Sequence, residues 1–254
     1  MSALDFSPAP GGAPAARRIV THARTEAKLW IRNGEQLLLA LVIPIGILLG
    51  GRFFGERFGL DLAVTAPSVL ALALWSTGFT SLAIATGFER RYGVLERLAS
   101  TPLTRTGFLA GKAVSLIWIA AGQVAVLAIV ALVLGWRPVV DPLAALVAVL
   151  AAVLGLVAYS SWGLVLAGTL RAEVTLALGN LIYLLMLAGG AVLVPLANYP
   201  AIVRPAVGLL PTAAVGEALR HAAAGTPLWW TLPVLAVWAA LGLLIARKVF
   251  RWMS

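Results

Sequence analysis

Apolar runs long enough to cross a bilayer alternate with short polar segments along most of the chain. A hydrocarbon core of about 30 Å calls for about 20 apolar residues in helix. That ruler predicts six spans, at residues 36–50, 64–88, 107–135, 142–170, 173–194 and 229–246. The first is short at its far end, where Gly50-Gly51-Arg52 interrupts it, and the third and fourth are long enough to tilt, kink or protrude.

Three segments outside the spans have patterns of their own. From Arg17 to Arg32, Ile19, Val20, Ala23, Ala27, Trp30 and Ile31 recur at helical spacing, with Arg17, Thr21, Arg24, Thr25, Lys28 and Arg32 opposite them. Residues 17–35 are thus expected to form an amphipathic helix lying on the inner leaflet, its cations toward anionic lipid. Residues 89–105, between spans two and three, are dense in charge of both signs. Val94, Leu95 and Leu98 lie along one side and Pro102 stops the run. Such a helix can seat its apolar side in a groove on a partner; a solvated loop whose arginines only set topology fits the composition equally well. Residues 197–228 are broken by Pro200, Pro205, Pro211 and Pro227 yet remain mostly apolar. Short helices dipping back into the outer leaflet satisfy both facts, provided other protein covers their broken backbone; the alternative is a surface loop collapsed on the helix ends.

Composition supports the lipid-embedded reading. Of 254 residues, 61% are hydrophobic and 11% charged, and the mean hydropathy is +0.97. That is more apolar surface than a water-soluble domain of this size can bury. With no cysteine, disulfides and thiolate chemistry are excluded, and His22 and His221 lie too far apart for a zinc set. The net charge of +9 does not point to nucleic acid, because the cations punctuate the apolar runs instead of forming a patch. Residues 1–16, rich in Pro, Ala and Gly, read as a disordered tail and not as a cleavable signal. With the N-terminus inside, fourteen of the nineteen Lys and Arg residues fall in cytoplasmic segments, and only Arg52, Arg57, Arg137, Arg204 and Arg220 fall outside. Both termini are therefore expected in the cytoplasm, as an even number of spans requires.

Catalytic patterns are missing. Gly107-Phe-Leu-Ala-Gly111-Lys112-Ala113 is one residue short of a P-loop and lacks the following Ser or Thr. It reads as small residues for close helix packing, with Lys112 snorkelling to the interface. No nucleophile elbow, zinc-protease motif or adjacent carboxylate pair occurs. Apart from Lys112 at a mouth, the interiors of the spans hold no Asp, Glu, Lys, Arg or His, which disfavours proton-driven transport. They do hold hydroxyls and amides: Ser76, Thr77, Thr80 and Ser81 on span two, Tyr159, Ser160 and Ser161 on span four, and Thr175, Asn180 and Tyr183 on span five. Interhelical hydrogen bonds explain the span-four group. A mixed apolar and hydroxyl surface on spans two and five also suits a wall for an amphiphilic ligand.

The run Phe88-Glu-Arg-Arg-Tyr-Gly-Val-Leu-Glu-Arg-Leu98, followed by Thr101-Pro-Leu-Thr-Arg105 and Gly111-Lys112, resembles the cytoplasmic loop of ABC type-2 permeases, a family of drug, lipid and polysaccharide exporters. Gly189-Gly190 and Leu210-Pro211 with Gly216-Glu-Ala-Leu219 resemble that family's second half, so the likeness runs from Arg17 onward. It implies two permease copies, identical or related, each docked on a separate ATPase subunit that binds ATP and Mg, with substrate leaving through their interface. It implies further that Glu89, Arg90, Arg91, Gly93, Leu95, Glu96, Arg97, Leu98 and Pro102 couple the chain to that ATPase. Ser76, Thr77, Thr80, Ser81, Asn180 and Tyr183 would line the pathway.

The expectation is an all-α membrane protein: six transmembrane helices in residues 36–254, the N-terminal interfacial helix, and a re-entrant segment between spans five and six. It would be the non-enzymatic, metal-free permease subunit of an ATP-driven exporter in a bacterial plasma membrane, moving a hydrophobic or amphiphilic substrate. A membrane anchor or regulator that docks a soluble partner, or a lipid-modifying enzyme, are the alternatives.

Overall fold

The computed structural model describes residues 13–58 and 61–249, and the secondary structure assigned among them is entirely helical. The helices are α1 (Ala15–Arg32), α2 (Gly34–Phe58), α3 (Leu62–Trp75), α4 (Leu82–Arg91), α5 (Val94–Ala99), α6 (Arg105–Val133), α7 (Pro142–Thr169), α8 (Ala172–Gly189), α9 (Arg204–Gly208), α10 (Pro211–Ala223) and α11 (Thr231–Val249). A π-helical turn, Ser76–Ser81, fuses α3 to α4 into one rod, Leu62–Arg91, of 30 residues. Most of the tail expected to be disordered lies outside the described residues, as does Arg251; Ala15 and Ala16 already belong to α1.

Helix starts follow local chemistry. The side chains of Asp61, Thr104 and Asp141 accept hydrogen bonds from the backbone N–H groups of Ala63, Gly107 and Ala144 at 2.9, 3.1 and 2.7 Å. Each satisfies an orphan donor of a first turn, and Pro142 adds the fixed φ that favours the first helical position.

Five helices are long and apolar enough to cross a membrane: the fused rod, α6 from Thr106, α7, α8 and α11. The remaining predicted span differs from expectation. Helix α2 runs through Gly50-Gly51 without a break, and its apolar portion is Ala40–Gly55. A Cβ on Gly51 would lie 3.0 Å from the Thr65 methyl, so the glycine brings α2 against the rod instead of ending the helix. Span five is shorter than predicted, ending at Gly189, after which Ala191 turns the chain at φ 51°.

The rod is the axis of the molecule. Its apolar window is 72% buried, against 17% for α8. Trp75 stacks on Phe79 at 4.5 Å and meets the edge of Tyr159 from α7 at 4.9 Å, forming an aromatic centre. Helix α11 lies along α7, and α1 lies against α6. The proline-broken segment yields one 3₁₀ turn (Leu196–Asn198), α9 and α10, and α10 is buried against α3, α7 and α11. Helix α10 is core, whereas residues 201–206 before it are exposed.

Candidate functional site

The chain's polar chemistry gathers in three places along the rod. At the end formed by α4, Lys112 of α6 is buried, with its Nζ 2.8 Å from Glu26 Oε2 and 2.8 Å from both carboxylate oxygens of Glu89. Three helices, α1, α4 and α6, thus meet on one ammonium. Helix α1 comes this close because Gly111 has no side chain: a Cβ there would fall 2.5 Å from the His22 ring. The imidazole stands 5.2 Å from the Phe108 ring and 4.0 Å from Glu26. Burial holds the His22 pKa below its ordinary value, Glu26 opposes that shift, and the Lys112 cation adds to it.

Lys112 therefore does not snorkel to an interface. It neutralises two carboxylates that sequence separation hid from each other, which corrects the reading that no carboxylate pair occurs. Close packing around Gly107 and Gly111 does hold, with Ile19 and His22 seated over them.

Around this junction part of the charged segment is tied back to the bundle, although most of its residues stay exposed. Arg90 donates to the Leu170 carbonyl at 2.7 Å, at the C-terminal end of α7, and Arg91 pairs with Glu173 at the start of α8. Gly93 takes the left-handed conformation, φ 67°, that reverses the chain between α4 and α5. Leu95 is fully buried against Phe108, with Leu98, Leu103 and Leu164 around them. The expectation that Val94, Leu95 and Leu98 jointly offer an apolar side to a partner is thereby corrected, since Leu95 and Leu98 pack within the chain and only Val94 is exposed. The Pro102 carbonyl accepts from Arg18 of α1. What α5 and its entry turn present outward is Tyr92, Val94, Glu96 and Arg97.

At mid-rod, a groove of about 840 Å³ opens between α2 and α8. Ser76, Thr80, Ser81, Asn180 and Tyr183 line it, facing Ile43 and Pro44 of α2. The Thr80 hydroxyl is buried at its wall without a hydrogen-bond partner. Thr77, the sixth residue expected there, points elsewhere: it donates to Gln123 Oε1 at 2.6 Å, and Gln123 donates to the Ala40 carbonyl at 2.8 Å. Thr77 lines a smaller cavity of about 180 Å³ with Glu26, Glu89 and Lys112. The two spaces share Asn33, Ser81 and Ala85 and so join groove and junction.

At the opposite end of the rod, Arg220 on α10 is buried. Its guanidinium donates to Glu217 at 2.7 Å and to Ser68 Oγ and the Ala191 and Val192 carbonyls at 2.8 Å, while Glu217 accepts from the Leu196 N–H at 2.8 Å. Arg220, which the sequence puts among the few cations of the outer segments, is thus buried and paired there. In the span-four group, Tyr159 bonds across to the Pro211 carbonyl at 3.1 Å as expected, but Ser160 and Ser161 bond carbonyls of their own helix.

Sequence reasoning missed Glu26, Gln123 and the Glu217–Arg220 pair. Glu26 is an acid among the cations of α1, Gln123 is an isolated amide in an apolar span, and Glu217 and Arg220 are spaced i,i+3 in an apolar segment. Each is expensive to bury unpaired, and that cost was the available signal.

A multi-pass helical membrane protein, with a groove along its central rod and a short helix slung beneath it, is the class this architecture defines. The family model described as ABC-2 type transporter matches residues 17–223, and the chain belongs to that family. Its members are transporter components that are not themselves catalytic and generally pair with an ABC ATPase subunit. A comparison with curated proteins finds no match.

Proposed function

We propose that this chain is the permease subunit of an ATP-driven exporter that carries a hydrophobic or amphiphilic substrate out across a bacterial plasma membrane. In this reading α2, the rod, α6, α7, α8 and α11 are six spans within residues 36–254. Helix α10 is the re-entrant element of the outer leaflet, α1 is the interfacial helix, and both termini are cytoplasmic. ATP and Mg are bound by a separate ATPase, and the groove between α2 and α8 faces a second permease copy.

One observation carries the proposal: the rod that bears Ser76, Thr80 and Ser81 on the groove wall also bears Glu89, Arg90 and Arg91 at the end where α5 is attached. Leu95 and Phe108 lock α5 to α6, so a push on the exposed Tyr92, Val94, Glu96 and Arg97 is delivered to the rod and not absorbed locally. The coupling role thus divides. Glu96, Arg97 and Val94 meet the ATPase, while Glu89, Arg90, Arg91, Leu95 and Leu98 hold the lever to its helices, Gly93 sets its angle and Pro102 ties it to α1. ATP binding shifts the population of lever positions, and the groove opens accordingly.

Co-expression with candidate ATPase subunits and reconstitution into liposomes provides the test. ATP hydrolysis by the complex should rise with amphiphilic substrates, and Tyr183→Ala with Thr80→Val should abolish that rise while leaving basal hydrolysis intact. A chain that binds an ATPase yet neither stimulates it nor moves substrate is an anchor, and the proposal fails.

A further inference from the structure

Helix α1 carries a second feature that transport does not use. Arg24, Lys28 and Arg32 follow one another at i, i+4 and i+8 on one face, all exposed, and none has an ion pair among the described residues. Together with Ala27, Ile31 and Trp118 of α6 they line a cleft of about 430 Å³. Ala27, Ile31 and Trp118 are shared with an adjoining apolar cleft of about 240 Å³ that runs between α6 and the start of α2, past Leu37, Leu41 and Val126. At its wall the Trp30 indole N–H is buried without an acceptor.

Cations, an unpartnered donor and an apolar slot thus succeed one another along a single path. A free anion would use only the first of these, and an uncharged lipid only the last two. We propose that this path is a binding site for one anionic phospholipid: its phosphate sits among Arg24, Lys28 and Arg32, an ester carbonyl accepts from Trp30, and an acyl chain lies along α6 beside Trp118. Charge complementarity commits the site to an anionic headgroup. The apolar slot that adjoins the cations commits it to a lipid in place of a soluble phosphate. Because α1 also brings Glu26 to Lys112, the bound lipid braces the helix on which the junction depends.

Gly122 offers a clean test, since a Cβ there meets nothing within 4 Å. Gly122→Leu fills the cleft without crowding the protein or touching the cations. The full-length chain, purified and delipidated in neutral detergent, is titrated with phosphatidylglycerol, with phosphatidylcholine of the same acyl chains, and with inorganic phosphate. Native mass spectrometry and thermal unfolding are read together. The expected result is one retained phosphatidylglycerol and a raised melting temperature, with neither effect from the other two probes. The triple variant Arg24→Gln, Lys28→Gln, Arg32→Gln should weaken phosphatidylglycerol binding about a hundredfold, the sum of three headgroup cations. Gly122→Leu should weaken it as well, and both proteins should melt like wild type without lipid. Equal binding of the two lipids, equal protection by inorganic phosphate, or unchanged binding in either variant overturns the proposal.

Discussion

At one end of the rod, Arg220 directs a planar fork at Glu217, the Ser68 hydroxyl and two backbone carbonyls. At the other, the Lys112 ammonium is shared by carboxylates on two other helices, Glu26 and Glu89. The first arrangement is rigid, because its ionic partners sit one turn apart on α10 and its other acceptors are ones that a guanidinium reaches only in one orientation. The second depends on where α1, α4 and α6 stand, and a point charge on a flexible stem tolerates small changes in that stance. The pair teaches that burying charge serves two ends in one molecule. A fork toward backbone fixes a proline-broken segment in the core, whereas an ammonium between helices ties together elements that are far apart in the sequence.

Removing the fork should have the largest consequence. Arg220→Met strands Glu217 and two carbonyls, and by the cost of breaking a buried pair should lower stability by about 3–5 kcal/mol. Thermal unfolding in detergent reads this, and adding Glu217→Leu should recover a large part of the loss. If the single variant melts like wild type, the fork is no staple. Lys112→Met should cost less, about 2–3 kcal/mol on the scale of hydrogen bonds to charged groups, because both carboxylates are partly exposed. Its distinctive effect should be functional: substrate-stimulated ATP hydrolysis is lost while the chain still inserts. Gly111→Val attacks the same junction from its packing, forcing His22 and α1 away from α6 at about 1–3 kcal/mol. Limited proteolysis should then cut α1 sooner.

Acidification should act on the Lys112 end through His22. Burial keeps the His22 pKa below that of the unfolded chain, so the unfolded state binds the extra proton first and stability rises with pH. The docking of α1 should therefore be full above the unfolded value of about 6.5 and weaken as pH falls from there through the lower folded pKa. Hydrogen exchange of α1 amides at neutral and mildly acidic pH measures this, and His22→Gln should flatten the dependence. The smallest stability effect belongs to Glu96→Ala and Arg97→Ala, exposed on α5 and expected to stay within about 0.5 kcal/mol. Both should still reduce ATPase stimulation, and unaltered stimulation would remove α5's outer face from the coupling role.

How much of this was legible in the chain depended on the range of the interaction. Apolar runs against the bilayer ruler located α6, α7, α8 and α11 because helix formation is local, and the periodicity read as a helix over residues 17–35 overlapped one that runs Ala15–Arg32, with Gly34 already in α2. Gly50-Gly51 misled because a glycine pair reads alike whether it ends a helix or lets one pack closely. Thr65, 14 positions beyond Gly51 by the difference of their numbers, decides between them. Of the six hydroxyl and amide residues named on two spans, five line the groove. Thr77 did not, since one residue of difference in a π turn swings a side chain to another face. Glu26 and Glu89 are separated by 63 positions, the difference of their numbers, and no local pattern joins them before the helices pack.

The π turn at Ser76–Ser81 has one more implication. Such a turn holds a residue beyond what an α-helical turn contains, a small surplus of wound chain kept in the middle of a long straight rod. Releasing that surplus into ordinary α-helix would screw the half toward Glu89 by about 100° relative to the half toward Ser68, the rotation that one residue contributes. A stroke of that kind needs no hinge and leaves the rod unbroken. It would also swing the groove hydroxyls out of the wall.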